Sequence, residues 1–206
     1  FDESKKIFVL PNIPNFYEDI NPDKTKKRDI LEIIFISRIS RKKNLDYVID
    51  TLKKASFNAK LNIYGPPEDD KYFNYCNGLI KQLPDNIIVD YHGSITNDKI
   101  QETFNQHDVF FFPTRGENFG HIIFESLASG CPVLLSDNTP WNDLEKYQAG
   151  WINSLDRKDK FIKALEIINK TKADDYLQYR RHSYNYAKKI YKKIIEDNLH
   201  YFSNLK

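Results

Sequence analysis

The stretch Val109-Phe-Phe-Phe-Pro-Thr-Arg115-Gly-Glu-Asn-Phe-Gly120-His-Ile-Ile-Phe-Glu125-Ser-Leu-Ala-Ser-Gly130-Cys-Pro-Val-Leu-Leu135 decides the fold. It opens on a continuously apolar run that ends at Phe112 and Pro113, then passes through a polar turn. A short apolar helix follows, Gly130 stops it, and a second apolar run begins at Pro132. Strands that are apolar on both faces and separated by a helix pair in parallel, in a sheet covered on both sides.

The same alternation extends outward in both directions. Strand-like runs cover 32–37, 60–64, 87–91, 109–113, 132–135 and 150–153. Between the first two, Leu45, Val48, Ile49 and Leu52 recur with helical period. Residues 70–83 form a less regular helix ending before Pro84, and Thr96 caps a helix carrying Ile100 and Phe104. Thr139-Pro140-Trp141 reads as a helix start, a threonine N-cap followed by proline at the first helical position. Phe161, Ala164, Leu165 and Ile168 mark an amphipathic helix. The tail from 173 to 202, with Ala187, Ile190, Tyr191 and Ile194 on one stripe, is one long helix or two joined ones. The fold class is α/β: a doubly wound, Rossmann-like parallel sheet over 29–172, preceded by a junction over 1–28 and followed by a helical extension over 173–206.

Composition narrows the function classes. The 206 residues carry 31 Lys plus Arg against 29 Asp plus Glu, so a net charge of +2 gives no nucleic-acid footprint. Basic clusters at 24–28, 41–43 and 188–193 are local; the first and last read as solvated faces, with docking on an anionic membrane surface as the alternative. Two cysteines, Cys76 and Cys131, suggest a reducing compartment without a disulfide framework. No apolar run reaches membrane-spanning length, which points to a cytoplasmic protein, peripheral at most to the inner face of the membrane. The chain contains no Met and starts at Phe1, so it is expected to be the C-terminal half of a longer chain.

In a doubly wound sheet, ligands bind beyond the carboxyl ends of the strands. That restricts the search to the loops at 37–44, 65–67, 93–95, 114–120 and 136–141. Gly120 opens a helix whose free N–H groups and positive dipole end suit a phosphate. Glu117 and Glu125 flank it, badly placed for a phosphate but suited to the hydroxyls of a ribose or a sugar. Arg38, a strand-end cation with no evident structural partner, and Lys43 could grip a pyrophosphate from two sides. Glu125 lies on an otherwise buried helix, where a carboxylate is costly unless paired. His121 has no second histidine or cysteine at ligand spacing and reads as a hydrogen-bonding residue, not a metal ligand. Asp69-Asp70 and Asp174-Asp175 fall outside these loops, and there is no Asp-x-Asp triplet. The G-x-G-x-x-G and P-loop fingerprints are absent, which argues against a dehydrogenase or a kinase.

Glu117-Asn-Phe-Gly-His-Ile-Ile-Phe-Glu125 resembles the E-x7-E motif of retaining GT-B glycosyltransferases, the glycosyl transferases group 1. Val9-Leu-Pro-Asn12 is similar to the interdomain junction of that family, and Phe35-Ile-Ser-Arg38 with Lys43 to its Gly-Arg-Leu…Lys-Gly stretch. Asp108-Val-Phe-Phe-Phe-Pro-Thr114 matches the preceding strand. Leu135-Ser-Asp-Asn-Thr-Pro-Trp141 with Ala149-Gly-Trp151 resembles the branch that makes bacterial surface polysaccharides. Ser37 and Asn44 stand where that family usually has Gly, Ile13 where a Gly is frequent, and Ser126-Leu127 replaces Ala-Met.

The resemblance implies a donor-binding domain with Arg38, Lys43 and Glu117 as catalytic residues. Arg38 and Lys43 would hold the diphosphate and Glu117 hydroxyls of the transferred sugar. Asn118, Phe119, Gly120 and His121 would line the helix entrance, Glu125 would take the ribose hydroxyls, and Ser94 and Ile95 would read the base. It further implies a nucleotide-diphosphate sugar as donor, UDP by default, with no cofactor and no metal. The acceptor, a saccharide or lipid-linked one, would sit mainly on an N-terminal domain. The long C-terminal helix would return toward that domain, leaving its stripe partly exposed here. Two rivals are a sugar-nucleotide epimerase of the same fold and a non-catalytic nucleotide-sugar-binding module.

Overall fold

The apolar runs pair as six parallel strands. The computed structural model describes residues 14, 16, 21, 22 and 30–203. The junction motif at 9–12 and the basic cluster at 24–28 lie outside the described residues. In chain order the elements are β1 (Leu31–Ile36), α1 (Leu45–Leu52), β2 (Ala59–Tyr64), α2 (Asp70–Ile80), β3 (Ile87–Tyr91), α3 (Asn97–Asn105) and β4 (Val109–Phe112). They continue with α4 (His121–Ala128), β5 (Val133–Ser136), β6 (Gly150–Asn153), α5 (Lys158–Lys170) and α6 (Ala173–Ser203).

The strands are ordered β3-β2-β1-β4-β5-β6. β1 occupies the middle, with Ile33 opposite both Leu61 of β2 and Val109 of β4. Because the sheet grows in one direction from β1 and in the other from β4, right-handed crossovers place the helices of its two halves on opposite faces. Accordingly α1 packs on α2 and α5, while α4 packs on α3 and α6. All of Val109, Phe110, Phe111 and Phe112 are fully buried. Each such side chain contributes about 1.5–3 kcal/mol of transfer free energy, so the strand that leads to the polar turn is among the best anchored in the molecule.

Two glycines shape the ligand-facing edge. Gly65 has φ +127°, and a Cβ there would collide with the Ser37 backbone carbonyl. The β2 loop thereby lies directly against the end of β1. Gly120 precedes α4 in the left-handed region (φ 77°), a conformation costly for other residues.

Three local readings of the sequence need correction or detail. Thr139-Pro140-Trp141 starts no α-helix; the chain turns, and its only helical piece before β6 is a 3₁₀ turn at Glu145–Tyr147. The reason is tertiary. Trp141 is buried, its indole Nε1 donates to the Phe119 carbonyl at 2.6 Å, and its ring lies 5.5 Å from that of Phe119. The Thr139 hydroxyl meanwhile turns back to Ser136 O instead of capping forward. Thr96 does precede α3, but its side chain makes no capping bond. Asp69, read as a mere acidic doublet, caps α2 by accepting from the Lys71 and Tyr72 amides.

The tail is a single helix, α6. Of its apolar stripe, Ala187 and Ile194 are buried, and Ile190 and Tyr191 are half-buried against the core. Phe16 covers part of it, with ring centroids 5.2 Å from Tyr191 and 6.3 Å from Phe124 of α4. Both cysteines are buried free thiols.

Candidate functional site

The site is built where β1 and β4 leave the centre of the sheet, the switch point of a doubly wound fold. Asn44, at the N-cap of α1, adopts the left-handed region (φ 68°) that a glycine would favour, and its side-chain amide donates to Pro113 O at 2.9 Å. The Lys42 carbonyl accepts from the Arg115 amide at 2.8 Å and from the Thr114 hydroxyl at 3.2 Å. These bonds stitch the loop after β1 to the loop after β4. Lys43 is thereby delivered to Glu117, and the two form an ion pair whose side chains are only 15% and 13% exposed. The ammonium also lies 5.4 Å from the centre of the Phe112 ring. Shielding of this kind makes the pair stronger than a surface pair and makes either partner costly to leave alone.

The turn between Glu117 and α4 is held from the other side by the loop after β5. Glu117 N–H donates to Asn138 O at 3.2 Å, and Trp141 fixes the Phe119 carbonyl as described. The Gly120 carbonyl accepts the Ile123 amide, which starts α4. Among the described residues, the amides of Gly120, His121 and Ile122 have no acceptor. Three open N–H groups at a helix start form an anion cradle.

Glu125 sits one turn into α4, half-buried. Among the described residues nothing bonds to its carboxylate, and burial pushes its pKa up. Below about pH 4, the ordinary range for Glu, the carboxyl is neutral in both folded and unfolded chains and carries no penalty. As pH rises through the raised folded-state value, the fold has to ionise a desolvated group, and stability is lost. Glu125→Gln is therefore expected to stabilise the unliganded chain by on the order of 1 kcal/mol at pH 7, with the gain gone near pH 4. Urea unfolding at the two pH values measures it; an equal gain at both would show that the charge is not the cause. Stability gained by deleting a polar group is characteristic of a site kept for binding.

The remaining sequence-derived residues are placed as follows. Arg38 is exposed, and the reading that it lacks a partner is wrong: its Nη1 lies 3.0 Å from Glu68 Oε1, on the loop after β2. Asn118 is exposed, and His121 is half-buried with its ring 4.9 Å from that of Phe119. Ser94 (exposed) and Ile95 (half-buried) follow β3, two strands away from β1, and connect inward through Gly65 N–H to Gly93 O at 2.7 Å. So the structure brings Lys43, Glu117 and the Gly120 entrance together, sets Arg38 at the rim, and leaves Ser94 and Ile95 on the flank. Sequence reasoning missed Asn44, Glu68 and Trp141. Two of them carried a signal: Asn44 stands where glycine is usual, and Trp141 is a large aromatic in one of the strand-end loops. Among the described residues no cluster of three or more His, Cys, Asp or Glu side chains could hold a metal, and no helix is long and apolar enough to cross a membrane.

Fold and cleft together define a Rossmann-like α/β domain with a helix entrance of open amides at its switch point, the architecture of GT-B glycosyltransferases. The family model of glycosyl transferases group 1 matches residues 17–190, and the chain belongs to that family. It is 27% identical over 112 residues to an uncharacterized 41.2 kDa protein of the cps region of Klebsiella pneumoniae, covering 54% of this chain and 29% of that one. It is 28% identical over 114 residues to the capsular polysaccharide biosynthesis glycosyltransferase CapM of Staphylococcus aureus, covering 54% and 29%. Among solved structures, Anabaena HepE in complex with UDP-glucose superposes with a TM-score of 0.73 at 16% identity, over 86% of this chain and 50% of that one. The chain thus spans less than a third of these curated relatives and half of the solved protein.

Proposed function

We propose that the cleft between the β1 and β4 loops binds the donor of a retaining glycosyltransferase, a nucleotide-diphosphate sugar, in polysaccharide biosynthesis. The observation that carries this reading is Glu125, a desolvated carboxylate without a protein partner one turn behind three open amides. Vicinal ribose hydroxyls would supply the hydrogen bonds it lacks, while the amides take the diphosphate. Arg38 and Lys43 would bind the diphosphate and stabilise the charge on the leaving nucleotide. Glu117, already beside Lys43, would accept from hydroxyls of the transferred sugar. Backbone at Ser94 and Ile95 would face the base.

In this scheme the bond between the anomeric carbon and the diphosphate breaks with its electron pair going to the phosphate oxygen. An acceptor hydroxyl then attacks the same face of a short-lived ion pair and gives its proton to the departing diphosphate oxygen, so configuration is retained without a protein nucleophile. Cationic side chains and the helix dipole carry the electrostatic work, with no role assigned to a metal. The acceptor, a saccharide or a lipid-linked one, would be held mainly by an N-terminal domain of the same protein. Catalysis would take place in the cytoplasm, at the inner face of the cell membrane where lipid-linked acceptors are presented. The HepE complex with UDP-glucose and the capsular role in the name of CapM support the choices of UDP and of polysaccharide synthesis.

A thermal-shift screen of the chain against UDP, GDP, ADP, CMP and their sugar conjugates, in EDTA, tests this. A ligand at about a hundred times its Kd stabilises by about 2.7 kcal/mol, a rise of about 5–10 °C for a domain of this size. One nucleoside diphosphate is expected to stand out, with UDP foremost. No response to any nucleotide would defeat the donor-site reading.

A further inference from the structure

The two cations proposed to hold the diphosphate already hold carboxylates. Lys43 is paired with Glu117, and Arg38 with Glu68. Glu117 belongs to the polar turn that precedes α4, but Glu68 comes from the loop after β2, and nothing assigned so far explains it. Its place opposite Arg38 is fixed by backbone. Ile39 N–H donates to Pro66 O at 2.9 Å, Glu68 N–H donates to Ile39 O at 3.1 Å, and Ile39 and Pro67 form a parallel bridge. The loops at 38–40 and 66–68 are thus zipped together, with Ile39 fully buried as the pin. The neighbouring carboxylate, Asp69, is committed to capping α2. Glu68 is therefore the one acidic side chain of this rim, otherwise lined by Arg38, Arg41, Lys42 and Lys43, that faces a cation and has no structural task among the described residues.

We infer that Glu68 is a positioning residue that acts through Arg38: a counter-ion built into the rim that a diphosphate must displace and that reclaims Arg38 when the diphosphate leaves. This rests on the donor-site reading above. The pair is suited to exchange, because its side chains are 65% and 46% exposed. Ion pairs that open to water are weak, so the contact biases Arg38 without locking it. A phosphate group carries more charge than a carboxylate and offers Arg38 a bidentate partner, so a diphosphate wins the competition but surrenders part of its affinity. A nucleoside monophosphate seated on the α4 entrance does not need Arg38 and surrenders nothing. The consequence for turnover is easier release of the nucleoside diphosphate product.

The test is calorimetric titration of the 206-residue chain and its Glu68→Gln, Arg38→Gln and double variants. The probes are UDP, GDP, their monophosphates and inorganic pyrophosphate, each in low salt and in half-molar salt. Glu68→Gln, an exposed isosteric change, is expected to tighten diphosphate binding about two- to fivefold in low salt. Monophosphate affinity stays unchanged, and the gain disappears in the Arg38→Gln background and in high salt, where exposed charges are screened. Unchanged or weaker diphosphate binding in Glu68→Gln would overturn the inference. So would an equal gain for monophosphates, or a gain that survives without Arg38, since either indicates only a general negative field. If the unaltered chain binds none of the diphosphates, the donor-site reading falls and takes this inference with it. If it binds them and Glu68→Gln changes nothing, the inference alone falls.

Discussion

Exchanging Arg180 for methionine is expected to destabilise the chain by about 3–5 kcal/mol, because it removes three charge-assisted hydrogen bonds from carbonyls around a buried side chain. Arg180 lies on α6 and is completely buried. Its guanidinium donates to Pro22 O at 2.9 Å, to Asn105 O at 3.0 Å and to His107 O at 3.3 Å. Asn105 closes α3, where carbonyls have no amide left to accept and the helix dipole is negative. One cation thus satisfies the end of α3, the approach to β4 and the segment around Pro22. Charge-assisted bonds of this type contribute about 1.5–3 kcal/mol each. Methionine fills the space but withdraws the guanidinium donors from all three carbonyls. Lysine keeps the charge but not the planar fork, so Arg180→Lys is expected to recover only part of the loss. Urea unfolding of the three proteins measures this. A loss below about 1 kcal/mol for methionine would show that water reaches those carbonyls and that α6 is anchored by other contacts.

Arg180 also marks the boundary of what the sequence discloses. All six strands were legible to within one residue at either end, because each is a short run rich in apolar residues bracketed by turns or helices, and the four inner ones are almost wholly buried. The entrance at Gly120 was legible for a similar reason: glycine before an apolar helix, after a polar turn, is local information. Where a local signal competed with a distant partner, the distant partner won. Thr139-Pro140 carries every mark of a helix start, yet Trp141 is bound to Phe119 across the cleft and the chain cannot wind. Arg38 looked unpaired because Glu68, thirty positions on, meets it only through the zipped loops. Asn44 looked like a departure from glycine; it takes glycine's conformation and adds a bond to Pro113 that glycine could not make. That Lys43 and Glu117 would both lie in loops at the carboxyl edge of the sheet could be read from the sequence. That they would face each other could not, since their meeting depends on the Lys42 carbonyl tying those loops together.

That meeting gives the sharpest separation of architecture from function. Lys43→Met is expected to fail in two distinct ways. In the proposed donor site it removes a cation from the diphosphate, and loss of a charge-assisted contact in a shielded site weakens binding by about 1.5–3 kcal/mol, or roughly ten- to a hundredfold. It also leaves Glu117, 13% exposed, with no counter-charge, which costs the fold about 1–3 kcal/mol. Adding Glu117→Gln relieves only the second loss, because a neutral amide beside methionine has no charge to desolvate. The double variant should therefore regain most of its stability while its affinity for the diphosphate stays low. Unfolding midpoints and UDP titrations on the wild type, both single variants and the double variant complete the cycle. If stability and affinity recover together, the ion pair merely holds the loops in shape and Lys43 does not touch the diphosphate. If stability recovers alone, Lys43 is paired with Glu117 in the empty site and with phosphate in the filled one, and donor binding is an exchange of ion pairs.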